Sequence, residues 1–132
     1  MSWRLYRPRR IGTYEARIVR RVLQIGAEFP PSPALLASIE NLVVRDEGEG
    51  GVCCHYDSLD FNTTNERGRI IASAIGSMAN DAPIELFVWA RGETITALEL
   101  EPYNGTRLPI RMPILESISR YPEDEVFEDD EE

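Results

Sequence analysis

A chain of 132 residues, 42% hydrophobic and 28% charged, is long enough to bury one core and too mixed in composition to stay disordered throughout. Its formal net charge of −9 works against nucleic acid and anionic membrane at long range, and for basic partners. No apolar run approaches the roughly 20 residues that cross a bilayer, and two adjacent cysteines build no disulfide framework.

The charge is unevenly placed. Residues 1–21 hold seven arginines and one acid, Glu15, whereas residues 123–132, EDEVFEDDEE, hold eight acids and no base. All fourteen basic residues are arginine, a bias expected of a GC-rich bacterial genome. The organisation this implies is one α+β domain over 1–122, followed by a solvated acidic tail over 123–132. The first residues, MSWRLYRPRRIG, carry positive charge but no apolar stretch follows. Neither a secretory nor a twin-arginine export signal is present, so the expected location is the cytoplasm.

Along the chain, Tyr14, Ile18, Val22 and Ile25 recur at helical spacing with arginines between them, which predicts an amphipathic helix over 13–27 with a basic outer face. Pro30 and Pro31 end it. Ser32-Pro33 opens a second, short helix through Leu35, Leu36 and Ile39. Leu42 to Arg45 reads as a strand because β-branched residues cluster there. Residues 46–51 are turn material, and 52–61 are the returning strand. The run ERGRIIASAIGSMA fits both a helix stripe and a strand; the expectation taken is a strand over 68–75. Residues 83–90 and 94–101 form a hairpin about the turn 91–93, with an irregularity near Ala97. Residues 109–121 hold a short helix. The expected architecture is α+β, with N-terminal helices packed on an antiparallel β-meander sheet.

Both cysteines and the only histidine fall in GEGGVCCHYDSLDF, residues 48–61. On a strand, Cys53, His55 and Asp57 share a face, with ~6.8 Å between successive members. Zinc would need a fourth ligand, and no second histidine or further cysteine exists to supply it. A Cys–His–Asp nucleophile centre would need an oxyanion loop at a helix start, which this sequence lacks. GEGG lacks the lysine and hydroxyl residue of a phosphate-binding loop. The expectation is therefore no catalytic set, no metal and no cofactor, with the cysteines packed as small hydrophobes. A metal-binding or cysteine-dependent enzyme built on Cys53, His55 and Asp57 stays open as an alternative. So does a structural homodimer that pairs a sheet edge near Trp89 with its twin.

The run from about Asn41 to Glu101, carried by GGVCCHYDSLDF and IELFVWARGETITALELE, resembles a group of small bacterial proteins found near polymorphic toxin systems, some of which are taken to be immunity proteins. That resemblance implies a non-enzymatic binding protein and transfers no functional residue. With the net charge, it predicts an acidic protein that neutralises a basic partner, such as a toxin domain, through His55, Asp57, Asp60, Glu85, Glu99, Glu101 and the tail acids. Neither nucleic acid nor membrane is an expected partner.

Overall fold

The computed structural model describes residues 8–46, 58–61, 66–103 and 111–120. The acidic segment 123–132 and the cluster Cys53, Cys54, His55 and Asp57 lie outside the described residues.

Strand β1, Arg9–Arg10, leads into helix α1, Thr13–Gly26. Gly12 caps α1, and its N–H donates to Glu15 Oε1 at 2.8 Å, satisfying a donor that the helix leaves over. Arg9 grips the same carboxylate through two nitrogens at 2.9 and 2.7 Å. Burial of Glu15 raises its pKa. The hydrogen bond from Arg9, that from Gly12 and the charge of Arg9 together outweigh burial, so the group sits below the ordinary carboxylate value. A folded-state pKa below the unfolded one contributes stability in full above the unfolded value, about 4.3, and loses it as pH falls through the folded value. Glu15→Gln is therefore expected to cost about 1 kcal/mol at pH 7, discounted for the exposure of Arg9, and less in acid. Thermal midpoints across a pH series check this; an equal loss at every pH contradicts it.

Ala16, Ile18, Val19, Val22 and Leu23 form the buried stripe of α1. Tyr14, expected in that stripe, is 42% exposed. It is held by its hydroxyl, which donates to Pro113 O and accepts from Leu115 N, both at 2.7 Å. Helix α2, Pro33–Ala37, starts as expected, with Ser32 Oγ accepting from Leu35 N at 3.1 Å. A 3₁₀ turn at Ile39–Asn41 continues it.

Five further strands are β2 (Val43–Asp46), β3 (Ser58–Phe61), β4 (Arg69–Ser77), β5 (Pro83–Arg91) and β6 (Thr94–Pro102). A 3₁₀ turn at Leu115–Ser117, where the sequence predicts a short helix, precedes β7 (Ser119–Arg120). The seven strands form one sheet in the order β1-β2-β3-β6-β5-β4-β7, with every neighbouring pair antiparallel. β4-β5-β6 is a meander, and β2 and β3 likewise pair as chain neighbours. β3 lies beside β6, not β4, so the chain crosses two strands between Phe61 and Arg69 in the manner of a Greek key. The plain meander expected from the sequence is corrected to that extent. β5 is also interior, hydrogen-bonded on both sides. The strand bearing Trp89 thus offers no edge to a twin.

The β5–β6 loop is Gly92–Glu93, with positive φ at Gly92 alone, the pattern of a type II′ turn. One face of the sheet carries Leu59, Ala72, Ala74, Ile84, Leu86, Val88, Leu98 and Leu100, all buried. α1 packs on that face over β4 and β5. The small residues on β4 let the helix come close: a Cβ at Gly26 would lie 1.9 Å from Ser73 O.

Candidate partner-binding face

Strand alternation sends every second side chain to the opposite face. Cross-strand registers place Ile75 beside Glu85 and Glu85 beside Glu101, Ser73 beside Phe87 and Phe87 beside Glu99, and Ile70 beside Trp89. Asp60 comes opposite Ala97 on the same side. Four of the six residues picked from sequence, Asp60, Glu85, Glu99 and Glu101, therefore converge on one face. No described element covers that face. Glu101 is exposed, and the other three are half-buried. His55 and Asp57 lie outside the described residues.

At the centre of this face stands a residue that composition alone does not single out, Arg67. Its Nη2 lies 3.0 Å from Asp60 Oδ1 and its Nη1 lies 3.7 Å from Glu99 Oε1. Its Cζ sits 5.4 Å from the Trp89 ring centroid, within cation–π range. Trp89 Nε1 closes the circuit by donating to Glu99 Oε1 at 2.8 Å.

Two local features aim Arg67. Thr96 is the extra residue of a β-bulge, since Trp89 pairs with Ala97 and Ala90 with Ile95. The bulge turns Thr96 inward, where it is 3% exposed and its hydroxyl donates to Arg67 O at 2.5 Å. Gly68 then passes close to β5 with φ +84, where a Cβ would lie 2.2 Å from Ala90 O. Only glycine fits both that dihedral and that approach. Beside it, Glu66 pairs with Arg91. The signal for Arg67 lies in the register of the hairpin, which sets Trp89 two positions from the partner of Glu99, and in a glycine directly before a strand.

Truncating Arg67 leaves two half-buried carboxylates without their shared cation. Arg67 is 37% exposed, so solvent screens much of the loss, and Arg67→Ala is expected to cost about 1 kcal/mol. Arg67→Met keeps the stem over Trp89 and should restore the packing but not the charge. Denaturant midpoints in low and high salt separate the two. An Arg67→Ala cost that Met fully restores at every salt would show the ion pairs contribute nothing.

Chemically, the face offers fixed carboxylates interleaved with aromatic and aliphatic surface. Among the described residues, no three of His, Cys, Asp and Glu gather closely enough to hold a metal. None of the described helices is long and apolar enough to cross a membrane.

Fold and face together define a small α+β protein with one helix-covered sheet face and one charged, aromatic face. Comparison with known proteins finds no match to this chain among protein-family models, curated proteins or solved structures.

Proposed function

We propose that the chain is a non-enzymatic binding protein that takes a basic protein partner on the open sheet face, as an immunity protein takes a bacterial toxin. The observation that carries this reading is the convergence of Asp60, Glu85, Glu99 and Glu101 around Phe87 and Trp89 on one face. Aromatic side chains and arginine are the residues that anchor protein interfaces, and charges around them steer and align the partner. Arg67 holds Asp60, Glu99 and Trp89 in place before contact, which lowers the ordering cost of association. The excess of negative charge, −9 over the chain, raises the encounter rate with a basic surface.

The direct test is co-expression with the product of the adjacent open reading frame. That product is expected to be toxic alone, harmless when this chain is co-expressed, and co-purified with it in a fixed ratio. A neighbour that is neither toxic nor bound removes the immunity reading.

A further inference from the structure

The opposite side of the molecule has the opposite charge. Arg17, Arg20 and Arg21 lie on the outer face of α1, and Arg10 stands by its first turn. A shallow cavity of about 380 Å³ runs between Arg10, Arg17 and Arg20, with Gly12 and Thr13 at one end. A smaller one of about 170 Å³ lies between Arg17, Arg20, Arg21, Gln24 and Leu115. Arg20 meets Glu40 at 3.2 Å, a contact in which the Glu40 side chain is 72% exposed. Arg10 meets the side-chain oxygen of Asn41 at 3.2 Å. Among the described residues, Arg17 and Arg21 have no carboxylate partner. Like charges at i,i+3 and i,i+4 repel on a helix, so this row calls for an anionic counterpart.

The complement is written in the same chain: residues 123–132 carry eight carboxylates and no cation. Position and length allow the two to meet. β7 packs beside α1 and ends at Arg120. Arg120 pairs with Ala74, next to Ser73, whose carbonyl lies against Gly26 at the C-terminal end of α1. The helix spans 14 residues, ~21 Å at its usual rise. Ten extended residues reach ~33 Å. A segment starting near the C-terminal end of α1 can therefore run back along the arginines to the helix N-terminus, where the helix dipole also favours carboxylates.

We propose that the arginine face of α1 is the seat of the chain's own acidic segment, residues 123–132, held in cis. The proposal concerns the chain without a partner and stands independently of the toxin reading. Exposed ion pairs are individually weak, so the contact is the sum of several and is screened by salt.

The test is an NMR comparison at ~0.01 M and ~1 M salt, where the screening length falls from ~30 Å to ~3 Å. In the full wild-type chain, the amide and guanidinium resonances of Arg17, Arg20 and Arg21 should shift between the two conditions. In a full chain carrying Glu128→Gln, Asp129→Asn, Asp130→Asn, Glu131→Gln and Glu132→Gln, most of that shift should be lost. Reciprocally, Arg17→Gln with Arg21→Gln should remove the salt response of the resonances of residues 128–132. Equal responses in wild type and variants overturn the proposal. So does a response that grows with protein concentration, because that would place the segment on a second copy.

Discussion

Gly26→Ala should destabilise the protein by about 3 kcal/mol or more, and lower its melting temperature by on the order of 10 °C. Local preference argues the other way. Alanine is favoured over glycine inside a helix by about 1 kcal/mol, and Gly26 closes α1 without a positive φ. Contact decides the sign. The added Cβ would lie 1.9 Å from Ser73 O and 2.8 Å from Ser73 C. Both are backbone atoms of a strand paired to β5, so neither can swing aside as a side-chain tip could. Either the end of α1 lifts off the sheet or β4 bends, and each exposes the core beneath Leu23 and Val22. Gly92→Ala is the control. Nothing lies within 4 Å of its added Cβ, and its φ of +65 costs about 1 kcal/mol alone. Thermal unfolding of both variants orders them; a Gly26→Ala protein as stable as wild type would mean that the helix does not approach β4 this closely.

Charge reversal on the open face should have the largest effect on binding. Glu85 and Glu101 sit directly opposite each other on β5 and β6, and like charges so placed repel. Reversing both together keeps that repulsion but gives up the other interactions each carboxylate makes, so folding stability should fall by no more than about 1 kcal/mol. Affinity for a basic partner should fall at least ~100-fold, since two attractive contacts become repulsive ones. The single change Glu85→Arg should divide the two properties: a new cross-strand ion pair with Glu101, about 0.2–1 kcal/mol, offsets the contacts that Glu85 gives up, so stability is held while binding still weakens. Paired unfolding and titration measurements check this. Parallel loss of stability and affinity would instead point to a structural role for the pair.

Much of the local structure is legible in the sequence because its determinants are local. The stripe through Ile18 and Val22, the Ser32-Pro33 opening and the Arg91-Gly92-Glu93 turn each act within a few residues, and each element forms where it is expected. The irregularity expected near Ala97 is the Thr96 bulge. The run at 68–78 is ambiguous for a physical reason. In β4 the helix-facing positions are Ala72, Ala74 and Gly76, while Ile70 and Ile75 face the open side. Small residues inside and large ones outside flatten the two-residue period that marks a strand. That inversion follows from the close approach of α1, a tertiary fact.

Sheet order is set by long-range pairing, and nothing local distinguishes β3 beside β6 from β3 beside β4. The same limit applies to the candidate face. Strand alternation already puts Glu99 and Glu101 on one side. Bringing Asp60 to them depends on the crossover, and Arg67 reaches the centre only through Gly68 and the bulge. Trp89, placed near a sheet edge by the homodimer alternative, sits on an interior strand with its ring on the open face.

The indole N–H of Trp89, which donates to Glu99 beneath Arg67, reports directly on whether the open face is the binding surface. Its NMR resonance can be followed while the product of the neighbouring reading frame is titrated into the full chain. A shift that saturates at the stoichiometry of the complex is the predicted result. A complex that forms by mass while the Trp89 indole resonance stays unchanged would contradict the account and place the partner elsewhere.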